Sequence, residues 1–475
     1  MFANHRVYWK TGITVILLLA AGQQTSAQSD QQNTRVFTLE EAVDFALKNY
    51  PAVRASLERV YSAEAGVSVA RTSYLPRTEV LWQSNRATDN NIAGLTLPNS
   101  VIAPITGAVT LSPSNRSAWG SAGGLLFSWE ALDFGYRGAK VDAARAVQSR
   151  AGAEASLTRL DVGIATVNAY LTLLVAEKTV RAAEADVERR ETFTKSVHVL
   201  VDNQLRAGAD ASRADAELAR ARVNLARAQQ QEATSRAQLA DILGIADATV
   251  EVRESTLLGA PPAAAPPPTP ISANPAAEVQ RARVQESQSL VHALDRSYYP
   301  KLYLQSVVMG RGSGVDATGK FLGGNEGLGP NRSNWAAGLI VTFPVFDIFS
   351  IRSKKAVEAA NERAEEARYD QALQDLTGQL RKAQASLDGA RKVAENTPVE
   401  LEAARTTETQ ERARYQAGLA TLVDVSDAQS FLVQAEIDDA LARLAVWQNL
   451  ASVAAAQGDL APFLQALRTD PQGAR

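Results

Sequence analysis

Apolar positions recur along this chain with two periods, and the first is helical. Leu157, Leu160, Ile164, Val167, Leu171 and Leu174 are spaced by alternating steps of three and four, as are Leu373, Leu376, Leu380, Ala383, Leu387 and Ala390. A sustained repeat of about 3.5 residues is the seam of a left-handed coiled coil. The pattern runs unbroken from Lys140 to Gln204, which predicts a helix about 100 Å long. Asp210 to Leu243 reads as its return, with Ala214, Leu218, Ala221, Leu225 and Ala228 on the seam, and covers about half that length. Ala52 to Ser73 predicts a further helix of about 33 Å. Two short helices laid end to end nearly match one long one, and the second half of the chain repeats this arithmetic. A globular core cannot use helices of this length, but a tube wall can.

The second period is two. Pro76 to Arg86, Trp119 to Trp129, Lys301 to Gly310 and Trp335 to Phe343 read as strands. In the clearest of them Trp119, Ser121, Gly123, Leu125, Phe127 and Trp129 share one face. Trp119 and Trp129 stand about 33 Å apart along the strand. Tilted by about 40°, that is roughly the 25 Å apolar band of an outer-membrane barrel between its aromatic girdles. Trp119, Trp129 and Trp335 are the candidate membrane-interface aromatics. The connectors Ala87 to Ala118 and Arg311 to Asn334 are long and rich in Gly, Asn, Ser and Pro, as extracellular loops are. Four strands cannot close a barrel, and an open edge is not tolerated in lipid. Pooled strands from two copies would give eight, a barrel filled by side chains, whereas three copies give twelve, wide enough to conduct.

The chain is also written twice. Pro51 and Pro76 are matched by Pro275 and Pro300, Asp133 by Asp347, and Gly244 by Gly458. Leu205-Arg206-Ala207-Gly208 is matched with Tyr415-Gln416-Ala417-Gly418, which makes Gly208 and Gly418 the left-handed stops at two hairpin tips. Asp210 to Ser212 and Ala420-Thr421 are candidate N-caps for the return helices. Residues 28–258 form a first repeat and 276–458 a second. Between them 259–275, with seven prolines, reads as an extended connector. Residues 459–475 are left as a C-terminal tail.

Composition narrows the function classes. The net charge of -3 gives no reason to expect a nucleic-acid partner. Residues 1–27 have a basic start, a short apolar run from Ile13 to Ala21 and a small-residue end at Ala27, which together read as a cleaved signal peptide. No later stretch reads as a spanning helix. The 475 residues contain no cysteine, so no thiolate chemistry or disulfide is available. Past the signal segment the histidines are His198 and His292, far apart in sequence. No phosphate loop or paired-histidine motif occurs. A conduit, scaffold or binder is expected, without catalytic residues, cofactor or metal.

Three stretches carry a family resemblance. Phe37-Thr38-Leu39-Glu40-Glu41-Ala42-Val43 with Asn49-Tyr50-Pro51 looks like an N-terminal signature. Phe343-Pro344-Val345-Phe346-Asp347 looks like a strand-to-helix junction; its first-half counterpart departs from the pattern, with Glu130 where proline is usual. Tyr415 to Val425 looks like a second hairpin tip. Together they resemble the TolC-like outer membrane efflux proteins, in the family's order from about Val36 to Gly458. The resemblance implies a mainly α protein with membrane β: a long α-helical coiled-coil barrel, and four strands per chain entering a twelve-stranded trimeric β-barrel. It implies an internal duplication, and a mixed equatorial region formed by the chain start, the connector and the tail. It implies a homotrimer in outer-membrane lipid with a long periplasmic part, a periplasmic adaptor as partner and an inner-membrane transporter as energy source.

Under that resemblance the tips, with Arg206, Gly208, Tyr415, Gly418 and Asp424, are expected to touch the adaptor. Glu408 and Glu411, three residues apart, are expected to share a helix face at the periplasmic aperture. Pro398 is expected to break or kink the helix above them. The alternative is a soluble periplasmic coiled-coil adaptor or scaffold, which accounts for the hairpins but not for two pairs of alternating strands.

Overall fold

The computed structural model describes residues 34–88, 115–253, 257, 269–316, 318 and 320–468. The expected signal segment, most of the proline-rich connector and the last residues of the tail lie outside the described residues. Strand β1 (Arg35–Phe37) and helix α1 (Leu39–Asn49) open the chain. Thr38 and Glu41 close a reciprocal capping box at the start of α1, so the Thr-Leu-Glu-Glu stretch is a helix start.

Two runs of elements then follow in the same order. Helix α2 (Pro51–Thr72) leads into strand β2 (Arg77–Thr88); strand β3 (Ser117–Leu132) leads into helix α3 (Tyr136–Asp202), which returns as α4 (Gly208–Ile242). After strand β4 (Val250–Val252), helix α5 (Pro275–Arg296) leads into β5 (Lys301–Ser313), and β6 (Arg332–Thr342) leads into α6 (Asp347–Gln416), which returns as α7 (Leu422–Gln457). Helix α8 (Ala461–Arg468) closes the described chain. The long helices have 67 and 70 residues and their returns 35 and 36. Pro51 and Pro275 each stand at the first position of a helix, where the missing donor costs nothing.

Side-by-side order is the same in sheet and helices. The antiparallel sheet runs β2-β3-β5-β6. Both α2 and α4 pack along α3, and both α5 and α7 pack on α3 and α6. The short helices meet end to end. At Gly244, which ends α4, an added Cβ would lie 3.5 Å from the Asn49 carbonyl oxygen just before α2. At Gly458, which ends α7, it would lie 2.7 Å from Pro275 Cδ at the start of α5. Both glycines have left-handed φ, 72° and 83°, so side chains are excluded by conformation and, at Gly458, by space. Asn274 secures the second junction: it caps Ala276 N–H at 2.9 Å and donates to the Ala456 carbonyl at 3.0 Å.

Around these junctions lies the main apolar core. Strand β1 pairs in parallel with β4. The fully buried Tyr170 of α3 donates its hydroxyl to the carbonyls of Phe37 and Arg253, at 3.1 and 3.0 Å, locking the two strand ends to the long helix. Helix α8 belongs to the same core, with Phe463 buried edge-on against Trp447. The tail is thus structural at least to Arg468. Helix α3 does hold a stretch apolar and long enough to cross a membrane, contrary to the reading of the sequence, but 56% of it is buried here. Pro398 was expected to break or kink its helix; α6 is not broken there and runs through it. Beside it Thr397 donates to Asp439 of α7 at 3.1 Å, which helps hold the hairpin together where a helix bond is missing.

Candidate channel wall and helical tips

Alternation along paired strands separates the sheet into two chemically distinct faces. Val80, Leu125, Val308 and Trp335 fall in one register row across all four strands. They are exposed by 80%, 45%, 60% and 79%. Trp82, Phe127 and Leu339 share that face, and the Trp82 indole occupies the space where a Gly123 side chain would be. The opposite face carries Arg77, Glu79, Gln83, Asn85, Gln305, Arg311, Arg332 and Asn334. The first strand shows the two-face pattern as sharply as the second, a signal the sequence reading did not use.

Of the expected interface aromatics, Trp129 donates its indole N–H to the Tyr74 carbonyl at 3.0 Å, at the helix-side end of the sheet. Trp119 lies at the far end under the Arg86 guanidinium, 5.4 Å from the ring centre. Trp335 sits in register with Leu125, inside the span between them.

At the first strand-to-helix junction the sheet register shifts between Glu130 and Leu132, beside the position where proline is missing. Asp133 anchors the turn, accepting from the backbone N–H of Gly135 and Arg137 and from Arg137 Nε at 3.0 Å. Burial pushes its carboxyl up, but these donors and the Arg137 charge hold it below the usual range. Its counterpart Asp347 is exposed.

The two hairpin tips form one unit. Phe193, Val197 and Ala214 pack with Tyr415, Ala420, Leu422 and Val425. Arg206 donates to the Tyr415 carbonyl at 2.7 Å and lies 4.4 Å from its ring centre. Phe193 meets the same ring edge-on at 5.3 Å. Burial, then the Asp210 charge, raise the Tyr415 phenol above its ordinary pKa. Thr421 caps α7 in a reciprocal box with Asp424, which assigns Asp424 a structural task at the tip. Gly418 has the expected left-handed φ of 77°. Gly208 does not: it is the first residue of α4, after the N-cap Ala207. The left-handed residue of the first tip is Gln204, at φ 60°. The N-cap expected within Asp210 to Ser212 therefore falls inside the helix instead.

Glu408 and Glu411 do not share an open face. Glu408 continues the row Thr397, Ala404, Glu408, Tyr415 that α6 turns toward α7, and is buried. Its partner is Arg412, 3.6 Å away. Glu411 pairs with Arg414 at 2.7 Å. The steps of seven and four that build the seam put Glu408 in it.

A sequence profile described as outer membrane efflux protein matches residues 42–245 and 271–459, one segment in each half. The chain belongs to the outer membrane efflux protein family. Three solved structures share the fold of this efflux protein. The VceC outer membrane protein of Vibrio cholerae is 18% identical, with TM-score 0.70, over 89% of this chain and 96% of that one. The CmeC outer membrane channel of Campylobacter jejuni is 18% identical, with TM-score 0.69, over 88% and 85%. The MtrE outer membrane channel of Neisseria gonorrhoeae, in its open state, is 18% identical, with TM-score 0.68, over 89% and 89%. A search of curated proteins returned no match. The efflux protein is an outer-membrane exit channel protein, mainly helical, with a four-stranded sheet.

Proposed function

We propose that three copies of the efflux protein close into one passive exit duct, a twelve-stranded barrel in the outer membrane continued by twelve helical columns in the periplasm. The observation that carries this is the sheet. Strands β2 and β6 are its open edges, and one face presents the exposed row Val80, Leu125, Val308, Trp335. Lipid contact requires closed edges, and twelve strands leave a lumen where eight do not. The helices repeat the logic: most of α6 is exposed, on the same flank as β6.

In this reading the matching halves reflect an internal duplication that supplies alternating wall segments. The paired tips, with exposed Leu205 and Leu419, dock a periplasmic adaptor, and an inner-membrane transporter supplies the energy, so the duct itself hydrolyses nothing. The soluble-adaptor alternative leaves the apolar sheet face without a role. Mass measurement of the detergent-extracted protein, followed by planar-bilayer recording, tests the proposal. A threefold assembly with steady conductance is expected; a monodisperse monomer soluble without detergent would overturn it.

A further inference from the structure

One contact between the two halves of the chain is made once and has a bare counterpart. Asp133 and Asp347, Gln204 and Gly418, and Gly244 and Gly458 are matching residues of the two runs, each pair 214 residues apart. Residues of α3 therefore have counterparts on α6, and residues of α7 on α4. Within the chain α7 packs on α3. Arg189 pairs with Glu436 at 3.0 Å, Arg190 donates to Ser430 at 3.0 Å, and Asp186 shares a groove with Gln434 and Ile437. The counterpart would be α4 packed along α6. A single copy does not build it, because α4 lies at the flank of β2 and α6 at the flank of β6.

Carrying the internal contact over by matching residues sets Arg222 against Ala403, Ala216 against Ala404, and Arg220 and Val223 beside Glu400. Arg220, Arg222, Glu400, Glu402 and Ala403 are all exposed in one copy, and Val223 and Val399 are exposed by 50% and 71%. The charges are complementary. Residues 218–231 of α4 hold Arg220, Arg222 and Arg227 and no carboxylate, whereas 394–407 of α6 hold Glu395, Glu400 and Glu402 against Arg405. The heights agree as well. Arg190 reaches Glu217 of α4 and Ser430 of α7, and Leu432 of α7 packs with Ala404 of α6. Residues 217 and 404 are therefore nearly level in one copy, and rotation about the axis of a tube preserves level.

We infer that a second copy of this chain seats its α4 on the exposed face of α6, in the register that α7 takes on α3, with Arg220 and Arg222 of one copy against Glu400 and Glu402 of the next. The inference rests on the threefold duct proposed above and names the surface that closes its helical part. Two different faces meet, so the contact is heterologous and repeats around a ring. Exposed ion pairs add little to affinity. Their arrangement instead fixes register and rejects seatings that bring like charges together.

The chain has no cysteine, so introduced thiols can be cross-linked without background. Arg222→Cys with Ala403→Cys, treated in membranes with a short bismaleimide, is expected to give covalent species of two and three chains on denaturing gels. Either substitution alone should give none. Arg220→Glu with Arg222→Glu should lower the yield of three-chain assemblies by about tenfold or more. Adding Glu400→Arg and Glu402→Arg to the same chain should restore most of that yield. Cross-links without such restoration would overturn the charge pairing. Trimers that conduct but do not cross-link, with Glu400→Cys open to a maleimide dye, would overturn the seating, leave that face to another partner such as an adaptor, and keep the duct. A wild-type protein that stays a single chain in membranes would instead overturn the duct.

Discussion

Gln204 and Gly418 are the same residue of two matching tips. Gln204 lies 71 residues after Asp133, and Gly418 lies 71 after Asp347. Each has left-handed φ, and each closes its helix in the same way. The amide after Gln204 donates to the Leu200 carbonyl and the amide after Gly418 to the Arg414 carbonyl, both at 2.8 Å. This is the glycine-type helix stop built once with glycine and once with glutamine.

The mismatch predicts opposite effects of exchange. Gln204→Gly should stabilise the first tip by about 0.5–1 kcal/mol, because a side chain at that φ is strained. Gly418→Val should cost the second about 1–2 kcal/mol. Amide hydrogen exchange at Leu205 and Leu419 reports both, with protection expected to rise at the first and fall at the second. Equal, unchanged protection in both variants would remove the strain argument.

The same pair shows what sequence could and could not reveal. Heptad steps and strand alternation located the helices and the four-stranded sheet to within a few residues, because burial of one face imposes the period directly. The first tip was misplaced by four residues because Gly208 is a better advertised stop than Gln204, and tertiary packing of Phe193, Val197 and Tyr415 overrode that preference. Strands β1 and β4 are three residues each, too short to show a period. Pro398 signalled a break or a kink, and the seam on either side carries the helix across it without a break. Glu408 was expected on an aperture face because its charge masked the seam register that buries it.

The lipid-facing row is tested by contrast between neighbours. Leu125→Arg, in line with Val80, Val308 and Trp335, should cost about 2–4 kcal/mol at the middle of the band. Leu126→Arg, one residue on and therefore on the polar face, should assemble with much smaller loss. Trimer yield in outer membranes and refolding into bilayers measure both. Equal sensitivity at the two positions would count against the assignment of faces.

Near the first tip His198 Nε2 lies 3.0 Å from Asp215 Oδ1 across α3 and α4. That hydrogen bond and the Asp215 charge, with help from Asp202, raise the imidazole above its ordinary 6.5. A raised folded value means the pair's contribution is complete below the unfolded pKa and fades as pH rises through the folded one. An NMR titration should therefore place His198 above 6.5, and Asp215→Asn should bring it back down. A value at or below the ordinary one in the unaltered chain would show that the pair does not form in solution.

Adaptor docking at the tips predicts a separation of assembly from function. Leu205 and Leu419 are exposed by 68% and 72%, so changing them should disturb folding little. Leu205→Asp with Leu419→Asp should leave trimer yield normal while export and adaptor co-purification fall together. Undiminished co-purification would move the contact away from the apolar tips.

The seam position of Glu408 leads to the least intuitive expectation, that removing this carboxylate strengthens the hairpin. Its side chain is 5% exposed, and its partner Arg412 is 44% exposed and 3.6 Å away, beyond a good hydrogen bond. The desolvation of a buried carboxylate is poorly repaid by one long contact. Leucine at 408 would extend the packing of Ala404, Leu432 and Ala435, while Arg412 remains solvated rather than stranded. Glu408→Leu should therefore raise stability by about 1–2 kcal/mol. It should leave single-channel cation preference and block by multivalent cations from the periplasmic side unchanged, because a seam side chain does not see the lumen. Glu411→Leu breaks a 2.7 Å pair with Arg414 and is the matched control. A loss of cation preference in Glu408→Leu alone would mean that α6 turns this carboxylate into the duct when three chains assemble, and the aperture would then lie at Glu408 after all.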